Sequence, residues 1–345
     1  MDRKRGFGED IMTIKDLAVK TGYSVGTVSR VLNNQSHVSE QARKTILKAA
    51  NECGFQLNAN ARELKQQQSN SVLVICKGRA NELYEALLTR LQTRISQTNH
   101  PMIVDYVDES ENVVQRALAL CPVKKPLGIV FLGGNRKEFL EDFEKINLPC
   151  VLVTGYVPDL PFANLSSVAA NDVQAGSLAI GHLISLGHRD IAVLGGDRNN
   201  SDITDRRYQG CLEAFDRYQV AFSPDCGYVT ARYTYEDAYR ATRDLLDRGC
   251  EFTALFAMSD VMAIGAIRAL KDAGKEVPED VSVIGVDGLS TGRYMIPRLS
   301  TVSQNVEVLA DRAVELLMYA LENKTAGIHE CIPVTLENRE STTNR

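Results

Sequence analysis

The sequence predicts two architectures in one chain, a small all-α head and an α/β body of two doubly wound parallel-sheet lobes. Three observations carry this. Residues 13–56 show only helical spacing of apolar side chains, and from residue 71 short, almost wholly apolar runs alternate with amphipathic stretches. Charge divides at the same place: residues 1–69 hold 11 Lys and Arg against 7 Asp and Glu, and the remainder holds 28 against 37. A basic head before an acidic body, within a chain of net charge -5, is the pattern of a polyanion-binding module joined to something else.

In the head, Ile14, Leu17, Ala18 and Thr21 form one helical stripe, Gly22-Tyr23-Ser24 breaks it, and Val25, Val28, Val31 and Leu32 begin a second. Residues 33–37 are a polar loop. Ser39 is placed to cap a third helix with the stripe Ala42, Ile46, Ala49 and Ala50, closed by Gly54. Helix, glycine turn and helix is the geometry that seats one helix in a major groove while its neighbour braces it. Ser24 as N-cap gives the second helix free N–H groups and a positive dipole end suited to phosphate. Thr27 and Ser29 are small enough for close approach, and Arg30 has the reach for phosphate or a guanine edge. Gly22-Tyr23-Ser24-Val25-Gly26 also fits the G-x-S-x-G elbow of esterases, but that elbow needs a buried strand before the serine, and residues 14–21 are helical in pattern. No enzyme is expected.

Residues 65–70 (Lys-Gln-Gln-Gln-Ser-Asn) are polar and read as a linker. The body then offers apolar runs at 72–76, 102–104, 128–132, 150–154, 191–194, 254–257 and 281–286. Helical stretches lie at 82–96, 175–186, 208–218, 235–248 and 260–273. Apolar strands alternating with helices imply parallel sheets covered on both faces. With 345 residues, 44% of them hydrophobic, the chain has length for two or three domains, and dominant disorder is excluded. No run reaches the length of a membrane span and no apolar segment follows the charged start, so an unexported, cytoplasmic protein is expected. The eight cysteines are scattered without a CxxC pair or zinc spacing, and are expected to be reduced thiols. His182 and His188 are six apart, the wrong interval for one helix face. Neither metal nor cofactor is implied. The sequons at Asn164 and Asn323 have no meaning without export.

The motif residues 13–18, Gly22-Tyr23-Ser24, residues 27–33 (Thr-Val-Ser-Arg-Val-Leu-Asn) and Val38-Ser39 closely resemble the DNA-binding head of the lac repressor/galactose repressor family, ungapped from Thr13 to Leu64. The resemblance implies a recognition helix over residues 25–33, with Val25 and Gly26 at the main base-reading positions and Arg30 behind them. Ser24, Thr27, Ser29, Asn33 and His37 match positions that contact the DNA backbone. Gly26 offers no side chain, so direct readout there is expected to be poor. Residues 55–64 match the family's hinge helix: Asn58 as cap, Ala61 keeping two symmetry-related helices close, Leu64 wedging into a minor-groove step. Two turns of helix are too short to stand alone, which makes the hinge a point of control. Leu57 stands where the family usually has proline.

The body resembles the same family and its periplasmic sugar-binding relatives, more loosely up to Val168 than after it. Residues 186–189, 191–196, 207–210, 285–287, 296–302 and 339–342 are the better-matched stretches. The implied periplasmic-binding-protein-like fold has two lobes joined by three crossings, near Val168, Thr301 and Gly327, with a ligand in the cleft. Arg207 matches the ligand-clamping arginine and Asp287 the hydroxyl-binding acid. Asp260 falls at an Asn-Asp site whose Asn is here Ser259, and Tyr84 and Tyr156 are expected in the pocket walls. The boundaries implied are an extension over 1–12, the head over 13–57, hinge and linker over 58–70, a first lobe of 71–168 with 302–327, and a second of 169–301 with 328–345. Met12 is an alternative start. No leucine heptad follows Glu337, so a homodimer on a pseudo-palindromic DNA operator is expected, most often as a repressor of a carbohydrate-related operon controlled by a small effector, with sugar as the leading class. Two alternatives are a regulator controlled by a protein corepressor and a solute receptor without DNA binding, which leaves the head idle.

Overall fold

The computed structural model describes residues 14–32, 38–53, 69–78, 81–323 and 325–345. It forms two compact units, 1–69 and 70–345.

The first unit holds three helices, α1 Ile14–Thr21, α2 Val25–Leu32 and α3 Glu40–Glu52. Their apolar stripes converge on one small core in which Leu17, Val28 and Ile46 are wholly buried beside Val31, Ala42 and Ala50. At about 1.5–3 kcal/mol for each large side chain removed from water, three such residues are the main source of a 40-residue bundle's stability. Gly22 makes the turn at φ +73°, where a side chain would be strained. Ser24 Oγ then accepts the Thr27 N–H at 3.2 Å, and Ser39 Oγ accepts that of Ala42 at 3.3 Å, so both hydroxyls cap a helix. Thr13, Gly54 and Leu57 lie outside the described residues, as do Asn33, His37, Asn58, Ala61 and Leu64.

The second unit runs β1 Val72–Lys77, α4 Glu82–Ser96, β2 Met102–Val107, α5 Val113–Lys124, β3 Gly128–Leu132, α6 Arg136–Asp142, β4 Cys150–Val153 and β5 Leu165–Ala170. It continues through α7 Asp172–Ser185, β6 Ile191–Gly195, α8 Asp202–Arg217, α9 Pro224–Gly227, β7 Tyr228–Thr230, α10 Tyr235–Asp247, β8 Ala254–Ala257 and α11 Asp260–Asp272. The last elements are β9 Ser282–Asp287, α12 Thr291–Tyr294, β10 Ser300–Ser303, α13 Val306–Asn323, β11 His329–Ile332 and β12 Thr335–Glu337.

Two six-stranded sheets result, ordered β11-β5-β4-β3-β1-β2 and β12-β10-β9-β8-β6-β7, each the same open winding. All pairings are parallel except β10 with β12, an antiparallel edge of three residues. Val72 lies opposite both Met102 and Gly128, so β1, β2 and β3 start level and deliver their carboxyl ends to one rim. Sheets of this winding bind ligands beyond those carboxyl ends, beside the strand where the order reverses.

The chain passes between the lobes after β5, after β10 and after β11. The third crossing corrects the expected one at Gly327: β11 pairs with β5 in the first sheet, and an added Cβ at Gly327 would stand 1.9 Å from Leu165 O. The passage therefore lies between Ile332 and Thr335, and residues 328–332 belong to the first lobe.

His188 is buried in the second lobe, bonded through Nδ1 to Thr253 Oγ1 at 2.9 Å and through Nε2 to Ser282 Oγ and Thr343 O, each at 3.1 Å. It ties the last residues of the chain to the sheet, and its burial lowers its pKa. His182 meets Thr342 Oγ1 at 3.2 Å. Both imidazoles are structural, and no cluster of metal-ligating side chains occurs among the described residues. No helix among them is long and apolar enough to cross a membrane.

Candidate functional site

Two surfaces carry the chemistry, and each can be built from its own elements. On α2, Val28 and Val31 turn into the core, which leaves Ser24, Val25, Gly26 and Arg30 exposed, with Thr27 and Ser29 partly so. Val25, 44% exposed, is an apolar group held at the first turn of a helix, where it can meet a thymine methyl. An added Cβ at Gly26 would touch only Ser24 Oγ and an Arg30 nitrogen, both at 3.9 Å, so the first turn has open space. Ser24 follows helix α1 instead of a strand and spends its hydroxyl on the cap and on Thr27 Oγ1 at 2.9 Å. The esterase elbow is absent.

In the body, the carboxyl ends of both sheets face one cleft of about 1290 Å³. Lys77, Tyr84, Asn135, Thr154 and Tyr156 line it from the first lobe. Asp172, Arg206, Arg207, Tyr233, Ser259 and Asp287 line it from the second, with Gln304 at a crossing.

Arg207 sits at the base because α7 and α8 pack nearly backbone to backbone. A Cβ at Gly176 would lie 2.0 Å from Arg207 O, and one at Gly210 would lie 1.9 Å from Val173 O, so only glycine admits this approach. The packing sets Asp172, the first residue of α7, against Arg207: Nε donates to Asp172 Oδ1 at 2.9 Å, and Nη1 donates to Met258 O. Arg207 is 4% exposed, and among the described residues its Nη2 makes no hydrogen bond. Burial raises the pKa of Asp172 despite the attraction of Arg207. Burial by itself would lower that of Arg207, but Asp172, Tyr233 and Asp287 outweigh it and hold the guanidinium charged.

Asp287 ends β9 at φ +128°, a conformation unfavourable for a residue with a Cβ, and Gly288 follows at +79°. This aims the carboxylate at the cleft, where Oδ1 accepts Gln304 Nε2 at 2.6 Å. Burial pushes its pKa up to about 6, against the opposing pull of Arg207. Asp260 is different, and its expected role is corrected. Oδ1 accepts Thr301 Oγ1 at 2.6 Å and Oδ2 accepts the Leu289 N–H at 2.8 Å, so it fastens the loop after β9 and stands behind the cleft wall. Its neighbours Ser259 and Val261 form the lining.

Tyr84 packs over Gly133 and approaches Thr154 Oγ1 at 3.4 Å, with burial pushing its phenol up to about 12. Tyr156 presents its ring to Arg206, whose guanidinium carbon lies 5.3 Å from the ring centre. Sequence reasoning had passed over Asp172, Arg206, Tyr233 and Gln304. The position of Asp172, Tyr233 and Gln304 after a strand is legible, but that of Arg206 within a helix, and the approach of all four across two lobes, are not.

The lobes also touch around the cleft. Arg232 Nη2 reaches Glu109 Oε2 at 2.9 Å, at the edge opposite the crossings. Elsewhere the Arg136 N–H meets Asp202 Oδ2 at 2.9 Å and Lys137 Nζ meets Asn199 O at 3.1 Å. Glu82 accepts hydrogen bonds from Thr291 Oγ1 at 2.7 Å and from the Tyr235 hydroxyl.

Comparison with known proteins covers both units. Residues 13–58 match the family of bacterial regulatory proteins, lacI family, and residues 180–342 match a periplasmic binding protein-like domain. The HTH-type transcriptional regulator MalR of Clostridium butyricum is 30% identical over 336 residues, 96% of this chain and 100% of that protein. The ribose operon repressor of Halalkalibacterium halodurans is 29% identical, over 96% of this chain and 97% of its own. Among solved structures, the lac repressor dimer bound to operator and the anti-inducer ONPF superposes with TM-score 0.77 at 24% identity, covering 96% of this chain and 99% of that one. A regulator from Enterococcus faecium with bound ribose gives 0.69 at 25% identity, covering 80% and 99%.

Proposed function

This chain belongs to the lacI family of bacterial regulatory proteins, and from that premise we propose that it is a dimeric repressor of a carbohydrate-related operon whose grip on a pseudo-palindromic operator is set by a sugar in the body's cleft. It is a DNA-binding transcriptional regulator and not an enzyme. We assign the reading of bases to Val25 and Arg30, backbone contacts to Ser24, Thr27, Ser29, Asn33 and His37, and the hinge to Asn58, Ala61 and Leu64. Arg207, Asp287, Tyr84 and Tyr156 hold the effector. Domain limits follow the sequence reading, with residues 328–332 moved to the first lobe. A DNA-binding regulator acts in the cytoplasm.

One observation carries the reading: a cleft walled by both lobes, with the charged Arg207 and Asp287 at its base, in a chain that also carries an exposed helix-turn-helix face. Effector bound to both walls favours one spacing of the lobes. The head is joined to the first lobe by residues 54–70, so a change in spacing between paired chains changes whether two short hinge helices can meet. Such coupling amounts to about 1–3 kcal/mol.

For the dimer face we look to the end of α12 and the loop after it. Ile296 and Tyr294 are 94% and 86% exposed, the highest values among the large apolar side chains described. Ile296→Asp is expected to sediment as a folded monomer with weakened operator binding.

The test is capture of genomic fragments by the purified protein, with and without a sugar panel. Arg30→Ala is expected to abolish retention of the selected fragments, and one class of sugar is expected to shift it for the unmodified protein. Unchanged retention by Arg30→Ala would remove the assignment of α2.

A further inference from the structure

Most cations lining the cleft are already spoken for. Lys77 pairs with Glu138, Arg136 with Asp159, Arg207 with Asp172, Arg232 with Glu109 and Arg240 with Asp237, while Arg248 bonds to the Asp244 carbonyl. Arg206 is the exception: among the described residues it makes no hydrogen bond and no ion pair. It is half-buried in the cleft wall, where it faces the ring of Tyr156 from the other lobe. The carboxylates whose field reaches it, Asp159 and Asp172, are matched to Arg136 and Arg207. A planar guanidinium with five donors, held over an aromatic face and without an acceptor among the described residues, is shaped for a bidentate oxyanion. Asp287, in the same base, accepts Gln304 Nε2 on Oδ1 and is also bonded by the backbone N–H of Asp260, so its carboxylate is held as an acceptor for hydroxyl groups and repels an anion. The base is therefore polarised, oxyanion toward Arg206 and hydroxyls toward Asp287.

We propose that the effector is an anionic carbohydrate, a sugar bearing a carboxylate or a phosphate ester, whose charged group is clamped by Arg206 against Tyr156. This rests on the reading that a carbohydrate occupies the cleft. Because Arg206 and Tyr156 belong to opposite lobes, the clamp also joins the recognition of charge to closure of the lobes.

The experiment is calorimetric titration of the full-length protein with matched sets: a neutral hexose or pentose, its uronic or aldonic acid, and its phosphate ester. One charged member is expected to bind at least tenfold tighter than its neutral partner, with the gap shrinking as salt is raised. The carboxylate and phosphate arms identify the source of the charge. Arg206→Gln is expected to erase the preference while leaving affinity for the neutral sugar and the melting temperature unchanged. Arg206→Lys, which keeps the charge without the fork, is expected to retain part of the preference. Equal affinity for neutral and charged members, or a preference that survives in Arg206→Gln, overturns the inference and leaves sugar control standing. If no member of any set binds while operator fragments are still retained, the carbohydrate reading falls and this inference with it.

Discussion

The two lobes share one strand order and weight the chemistry of the cleft differently. The first offers Tyr84, Thr154 and Tyr156, rings and hydroxyls on the first turn of α4 or the loop after β4, beside Lys77 and Arg136, whose charges are paired within the lobe. The second offers Arg206, Arg207 and Asp172, charges anchored by a helix pair that two glycines bring into contact, and Asp287 at the end of β9. The domain match over 180–342 takes in most of the second lobe together with α13 and β11 of the first. The same winding thus supports a rigid ionic wall and a softer aromatic wall, and substitutions in the two should fail differently.

The largest effect is expected at the ionic base. Arg207→Ala strands Asp172 in a buried site, a loss of about 3–5 kcal/mol when one partner of a buried pair is removed. A fall in melting temperature together with loss of the effector response would follow. A stable variant with intact response would show that the charged wall is not the anchor. Gly210→Ala comes next. Its new Cβ would meet the Val173 carbonyl at 1.9 Å, and forcing α7 and α8 apart should cost about 1–3 kcal/mol, read as a lowered melting temperature with weakened effector binding.

On the aromatic wall, Tyr156→Ala should leave the melting temperature alone and weaken effector binding roughly three- to tenfold, the worth of one aromatic face. A change in stability instead would make the ring structural. A pH titration sharpens the contrast. With the Asp287 carboxyl near 6, it accepts effector hydroxyls when ionised above that value and loses the acceptor as the pH falls through it. Affinity should therefore be full near pH 7.5 and decline below 6, and Asp287→Asn should flatten the profile. The smallest effect belongs to the exposed Glu109–Arg232 contact. Glu109→Gln should leave the melting temperature unchanged and only loosen lobe closure, seen as a slightly larger radius of gyration in solution scattering.

Much of this contrast could be seen in the residue order, and some could not. The inner strands β1, β3, β8 and β9 are continuous apolar runs and declare themselves. β5 (Leu-Ser-Ser-Val-Ala-Ala) and β10 (Ser-Thr-Val-Ser) are just as buried, yet they carry hydroxyls, because strands at a lobe crossing bond to the returning chain: Ser167 Oγ to His329, and Ser300 Oγ to the Arg339 N–H. A scan for apolar runs passes over them, and the third crossing was misplaced by the same omission of β11. Arg207 and Asp287 were legible through resemblance. Asp260 was misjudged because local order cannot tell a carboxylate that faces a cleft from one satisfied by Thr301 and Leu289. Arg206 was missed because its significance is a lack of partners, which only the folded lobes disclose.

The central claim is that occupancy of the cleft and grip on the operator are one linked equilibrium. The most direct measurement is effector affinity by calorimetry, for the free protein and for the protein saturated with operator, compared with operator affinity measured with and without effector. The account predicts two equal ratios, each between about 5 and 150. A ratio of one, with the cleft demonstrably filled, would contradict it.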